Sequence, residues 1–91
     1  MADVIITLKI MPEAPNVNLD YILKLAEPLI SSFGGKVGKV SKEPIAFGLS
    51  SLNISFFTDE KKGGTDALEQ KIAKLTGVSS VSVIDVRRAV G

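Results

Sequence analysis

The sequence predicts a single α+β domain whose strands and helices follow the order β-α-β-β-α-β. Three observations predict it. Apolar residues alternate at period two in the first, middle and last parts of the chain. Two stretches between them switch to spacings of three and four. Glycine or proline stands near most changes of period. Four strands and two helices in this order commonly form a ferredoxin-like sandwich, a four-stranded antiparallel sheet with two helices on one face. Each β-α-β half is then a right-handed crossover.

The elements follow in order. Val4, Ile6, Leu8 and Ile10 alternate with Ile5, Thr7 and Lys9, so the first strand turns one side to a core, and Pro12 and Pro15 end it. Leu19, Ile22, Leu23, Ala26, Leu29, Ile30 and Phe33 form one stripe of a helix. Asn18 is its N-cap, Asp20 suits its positive end, and Gly34-Gly35 stop it. Pro28, inside that stripe, removes a backbone donor and is expected to kink the axis. Lys36–Glu43 is a second strand; its Val37 and Val40 are three apart, which calls for a bulge near Gly38. Leu52, Ile54 and Phe56 alternate with Ser51, Asn53 and Ser55 in a third strand. The polar stretch Asp59–Gly64 is a turn. Thr65 or Asp66 caps a second helix that turns Leu68, Ile72 and Leu75 inward and stops at Gly77. Val78–Val86 is the last strand, with its phase undecided, since Val81 and Val83 compete with Ile84 and Val86.

Composition narrows the function. The chain has 91 residues, of which 45% are hydrophobic and 23% charged, so it is a folded domain rather than a disordered one. It has no cysteine and no histidine, which removes disulfides, thiolate sites and the commonest general base and zinc ligand. Catalysis through a nucleophilic triad lacks its base, so an enzyme is not expected. The net charge of +1 supplies no strong field to draw nucleic acid or a membrane surface. Met1–Pro12 is interrupted by Asp3 and Lys9 and is neither a signal peptide nor a span, so the expected location is the cytoplasm.

Several groups of residues are candidates for a site. With both helices on one side of the sheet, the other side is open and carries Ile5, Thr7, Lys9, Ser51, Asn53 and Ser55, either as ordinary surface or as a partner-binding face. Asp59, Glu60, Asp66 and Glu69 cluster around one loop and have the oxygen chemistry of a hard-cation site, without the spacing of the twelve-residue calcium loop. Gly34-Gly35 and Gly63-Gly64 lack the lysine and hydroxyl of a phosphate loop. Pro44-Ile45-Ala46-Phe47-Gly48 combines a stiff and a permissive residue with two large apolar ones. Folded inward, Ile45 and Phe47 cap the core; turned outward, Phe47 is an aromatic anchor for a partner. Arg87 and Arg88 end the last strand and point to opposite sides, where one reaches a phosphate or carboxylate or both simply solubilise the end.

Met11-Pro12-Glu13, Pro44-Ile45-Ala46-Phe47-Gly48-Leu49, Gly63-Gly64-Thr65-Asp66 and the run from Val78 to Asp85-Val86-Arg87-Arg88 occur in that order. In this the chain resembles the archaeal translation elongation factor 1-beta family from Val4 to Arg88, most specifically in the Pro-Ile-Ala-Phe-Gly segment. The resemblance implies a single guanine-nucleotide exchange domain over residues 1–91, with no cofactor. Its partner would be elongation factor 1-alpha, the GTPase that delivers aminoacyl-tRNA, with neither nucleic acid nor membrane contacted directly. It also implies that binding loosens the magnesium and phosphate contacts of the GTPase, so that GDP leaves and GTP enters. By similarity, Phe47 matches the exposed aromatic of the eukaryotic factor. That factor has a lysine near its C-terminus that reaches the magnesium site; here the chain ends Ala89-Val90-Gly91, and Arg87 or Arg88 is left to replace it.

Two other readings use the same fold. An RNA-binding module would show stacking aromatics on its middle strands, for which the sequence offers Phe47-Gly48-Leu49 without flanking aromatics, and Phe57 on the third strand. A small-metabolite-binding module would need an apolar pocket with a few polar groups.

Overall fold

The structure is a computed structural model and describes residues 3–59 and 64–89. Its elements are β1 (Asp3–Pro12), α1 (Leu19–Phe33), β2 (Lys36–Pro44), a single 3-10 turn at Ala46–Gly48, β3 (Ser50–Asp59), α2 (Asp66–Ala73) and β4 (Val78–Ala89). The strands lie in the order β2-β3-β1-β4, every neighbouring pair antiparallel. This is the expected ferredoxin-like β-α-β-β-α-β fold.

The core forms where the period-two and helical patterns meet. Ile6, Leu8 and Ile10 of β1 and Leu52, Ile54 and Phe56 of β3 face Leu19, Ile22, Ala26 and Ile30 of α1 and Leu68 and Ile72 of α2, all buried. Phe33 closes one side, its ring edge-on to Phe56 at 6.3 Å between centroids.

Two bulges explain the irregular strands. The β2–β3 register shifts between Val37 and Lys39, so Gly38 is the extra residue, and Val37 lies opposite Phe56 while Val40 lies opposite Ile54. The three-residue spacing therefore puts both valines on the helix side, as expected. A side chain on Gly38 would meet the Phe57 ring, since a Cβ there falls 2.6 Å from Phe57 Cε2. In β4 the register against β1 shifts at Ile84, with Val83 opposite Leu8 and Val86 opposite Ile6. The two competing phases of the last strand are thus both used, one on each side of the bulge.

Helix ends differ in how they are closed. Asn18 Oδ1 accepts from the backbone N–H groups of Asp20 at 2.9 Å and Tyr21 at 3.3 Å, a side-chain cap as expected. Gly34 takes the left-handed conformation (φ 103°), and the Gly35 N–H returns to the Ile30 carbonyl. The helix continues through Pro28 to Phe33. Pro28 is exposed, so the Lys24 carbonyl that lacks its donor can turn to water. Thr65 occupies the N-cap of α2 but does not cap with its side chain; its hydroxyl donates instead to Glu69 Oε2 at 3.1 Å. α2 ends at Ala73, so Leu75, expected on the helix, packs from the turn that follows it, and Gly77 closes that turn at φ 92°.

On the open side, the hydroxyls of Thr7 and Ser55 bond across the β1–β3 pair at 2.9 Å. Ser51, expected to be open to water, is fully buried. It is a short side chain beside longer ones: its hydroxyl donates to Asn53 Oδ1, and Asn53 Nδ2 donates to Glu43 Oε2. Among the described residues no helix is long and apolar enough to cross a membrane.

Gly35 sits where α1 turns into β2, against the centre of the core. An added Cβ would stand 2.7 Å from Phe56 Cδ2 and 2.9 Å from Ile30 Cγ2. Gly35→Ala is expected to lower unfolding free energy by about 1–3 kcal/mol, the cost of overpacking a filled core. The expected readout is a lower urea midpoint at unchanged slope.

Candidate functional site

The hairpin joining β2 to β3 carries the most exposed aromatic of the molecule. Pro44 pairs with Ser50 at its base. Beyond that pair, the Ile45 N–H donates to the Leu49 carbonyl at 2.8 Å, and the Leu49 N–H donates to the Ala46 carbonyl at 3.2 Å. These two bonds fix a five-residue loop. Ile45 and Leu49 are half-buried at its root, and the chain between them must reverse in three residues. It does so through two consecutive left-handed residues, Phe47 (φ 62°) and Gly48 (φ 73°). Glycine adopts this conformation freely; for phenylalanine it is strained by about 1–3 kcal/mol. Phe47 is 93% exposed. The two outcomes open at the sequence level are thus divided between the two residues: Ile45 folds toward the body and Phe47 points out.

Beside the hairpin lies a cleft of about 260 Å³, with Gly48, Ser50 and Lys42 on one side and Pro12, Pro15 and Val17 on the other. Lys42 bridges to Asp20 of α1 at 2.7 Å, an exposed pair that adds little stability but holds the lysine at the cleft. The cleft joins two motifs that are far apart in sequence, since the residues after Met11 and the Pro44–Leu49 loop meet at the same end of the sheet. Glu13 is tied there as well, its N–H donating to the Gly77 carbonyl at 2.8 Å. Sequence reasoning missed Lys42 and the cleft. A lysine in a run of polar strand residues carries no signal until α1 is seen beside it.

Arg87 and Arg88 are elsewhere. Arg87 pairs across the strands with Ile5 and Arg88 with Val4, so the two point to opposite sides of the sheet, as expected. Ile5 is also opposite Phe57, seven residues along β3 from the base of the hairpin at Ser50. At about 3.3 Å per residue this separates the arginines from the hairpin by roughly 23 Å. The structure therefore does not bring Pro44–Gly48 and Arg87–Arg88 together; they occupy the two ends of a molecule 42 Å long. Arg87 Nε lies 2.8 Å from Asp85 Oδ2 on the open side. The last residue of β3 lies at this same end, because Asp59 pairs with Asp3 and Asp3 with Ala89.

Of the acidic cluster, Glu60 lies outside the described residues, as does Gly63 of the glycine pair. Glu69 is engaged by Thr65. No group of three or more possible metal ligands occurs among the described residues. Phe57, the aromatic candidate of the open side, is 40% exposed with one edge of its ring over Gly38.

Comparison with known proteins gives the family. Residues 5–89 match the model of the EF-1 guanine nucleotide exchange domain. The chain is 42% identical to elongation factor 1-beta of Methanothermobacter thermautotrophicus and 44% identical to that of Methanobrevibacter smithii, in each case over 97% of this chain and 98% of the relative. It is 38% identical to elongation factor 1-beta of Metallosphaera sedula over 97% of each. Among solved structures it is similar to the ACT domain from the GTP pyrophosphokinase of Chlorobium tepidum, with a TM-score of 0.61 at 20% identity over 90% of this chain and 99% of that one. It is also similar to the C-terminal domain of the MgtC protein from Mycobacterium tuberculosis, with a TM-score of 0.60 at 13% identity over 98% and 88%. These last two likenesses are of fold alone. The sequence relatives run nearly end to end with it, and the chain belongs to the EF-1 guanine nucleotide exchange domain family, alongside the archaeal elongation factor 1-beta proteins.

Proposed function

We propose that this chain carries out its family's exchange of GDP for GTP on translation elongation factor 1-alpha from the two ends of its sheet. The hairpin end anchors the GTPase through Phe47, with Pro44, Ile45, Ala46 and Gly48 as its mount. The other end presents Arg87 and Arg88 to the magnesium and phosphate region. The observation that carries this reading is the strained, 93%-exposed Phe47 on a cross-linked loop. A protein that gained nothing from an outward phenylalanine would be expected to place a glycine or asparagine at a left-handed position.

The chemistry asks little else of the chain. Exchange forms and breaks no covalent bond, so it needs no general base and no nucleophile. It requires tighter binding to the nucleotide-free GTPase than to the loaded one, because a ligand shifts an equilibrium only by its differential affinity. A ring seated in a pocket supplies affinity that does not depend on the nucleotide. Guanidinium groups near the phosphates supply the difference, competing with magnesium for the same negative charge. A separation of roughly 23 Å between the two ends suits a GTPase gripped away from its nucleotide site and perturbed at it. The setting of this reaction is the cytoplasm, and neither nucleic acid nor a membrane takes part in it.

Two predictions follow from the division of labour. Phe47→Ala is expected to weaken half-maximal stimulation of fluorescent GDP release from elongation factor 1-alpha about thirtyfold, as expected for removing a central aromatic anchor worth ~2 kcal/mol. Phe47→Gly should lose exchange equally while melting at the same or a higher temperature, because it relieves left-handed strain. Normal exchange by either variant would remove Phe47 from the site. Joint substitution Arg87→Ala and Arg88→Ala is expected to lower the maximal release rate about tenfold with binding nearly retained, because that end acts on the transition rather than on the grip. Loss of binding with an unchanged maximal rate would reverse the assignment of the two ends.

A further inference from the structure

Phe57 belongs to one row that crosses all four strands on the face the helices leave open. It lies opposite Lys36 of β2 and Ile5 of β1, and Ile5 lies opposite Arg87 of β4. With neighbouring strands about 4.8 Å apart, the row spans roughly 14 Å and reads cation, aromatic, aliphatic, cation. The next row toward the hairpin, Lys39, Ser55, Thr7 and Asp85, is polar throughout. The Gly38 bulge shapes the row. Its missing side chain leaves the space that the Phe57 ring takes, with Cε2 2.6 Å from where a Cβ would stand. The ring therefore leans over β2 and stays 40% exposed. Lys36 beside it is exposed and holds no ion pair among the described residues. Arg87 meets Asp85 through Nε. A guanidinium has five donors, so that contact leaves others for a partner.

We infer that this row docks against the GTPase and seats the arginine end beside the nucleotide site. The inference rests on the proposed function, which brings Arg87 to the magnesium and phosphate region, and it adds which face of the sheet turns toward the GTPase. Arg87 is on the open face, and the row continues that face without a break through Ile5 and Phe57 to Lys36. Charge agrees with this occupant, since nucleotide phosphates are anionic and both edges of the row are cationic. So does the order of the row: an apolar centre that sheds water inside a charged rim is how protein interfaces are built. A polynucleotide fits less well. A single strand needs a track of cations and successive rings to stack on. Here one ring is followed by a row with two hydroxyls bonded to each other and a carboxylate. Phe57 and Lys36 thus add a second grip, next to the nucleotide, to the distant grip of Phe47.

Titration of the full chain onto nucleotide-free elongation factor 1-alpha tests the inference. Phe57→Thr, which keeps a residue suited to a strand, is expected to weaken binding about tenfold. Lys36→Glu is expected to weaken it about fivefold, and less at high salt. Lys24→Glu makes the same change of charge at an exposed position of α1 and is expected to leave binding within about twofold of wild type. Lys36 and Lys24 are both exposed, so these two variants stay folded whatever Phe57→Thr costs in stability. Benzoylphenylalanine in place of Phe57 is expected to cross-link to the GTPase on irradiation, and in place of Lys24 it is not. Wild-type binding by both Phe57→Thr and Lys36→Glu, or cross-linking from the Lys24 position alone, overturns the inference. The joint Arg87→Ala and Arg88→Ala variant separates this failure from that of the proposed function. If it slows GDP release while the Phe57 and Lys36 variants bind normally, the exchange reading stands and the docking face is wrong. A chain that does not bind the GTPase overturns both. Phe57→Thr that loses binding to oligouridylate, with GTPase binding unchanged, gives the face to nucleic acid and overturns the inference as well.

Discussion

β1 lies between β3 and β4, and its register on both sides fixes the working geometry of the molecule. Ile6, Leu8 and Ile10 are buried against both helices, and the residues between them pair outward along the sheet. Because the side-chain period of a strand is two, slipping β1 by one residue would turn its core row out to water. That penalty locks Ile5 opposite both Phe57 and Arg87, and it locks Ile10 opposite Leu52 just after the hairpin. The distance between the aromatic end and the basic end is therefore a property of one central strand. Neither end has to be rigid over its whole length, provided β1 does not move.

Much of this could be read from the sequence, for reasons that differ between elements. The α1 stripe was legible because a long amphipathic helix repeats its pattern over fifteen residues and announces its ends with Asn18 and Gly34. The Gly38 bulge was legible because two valines three apart cannot share a face of a regular strand. The phase of β4 was not legible, since a bulge at Ile84, unlike one at Gly38, carries no residue that marks it. α2 was overextended by one turn, because Leu75 continues the apolar spacing after the backbone has left the helix. Ser51 was misplaced because alternation predicts the direction of a side chain and says nothing about the height of its neighbours.

The candidate site divides the same way. Its residues were marked by a resemblance that runs from Val4 to Arg88, but their arrangement was not. Nothing in the spacing of Pro44–Gly48 and Arg87–Arg88 says whether a four-stranded sheet brings them together or holds them apart. Antiparallel pairing decides it, because each strand reverses and carries a residue near its end to the opposite edge from its neighbour's end. The direction of Phe47 was equally hidden. A five-residue loop with two large apolar side chains offers two inward candidates, and a left-handed backbone at the second of them is a property of closure rather than of composition.

A loop pinned by the Ile45–Leu49 bond holds its ring ready before any partner arrives. Little ordering entropy is then lost on contact, so the encounter need not wait for the loop to find its shape. A single ring also has a ceiling on the attraction it can supply. For a protein that must visit one GTPase after another, this ceiling is useful, because a broader and stickier surface would lengthen each visit. In the role proposed for it, the hairpin favours fast arrival and bounded residence, and the number of GTPase molecules served per unit time depends on both.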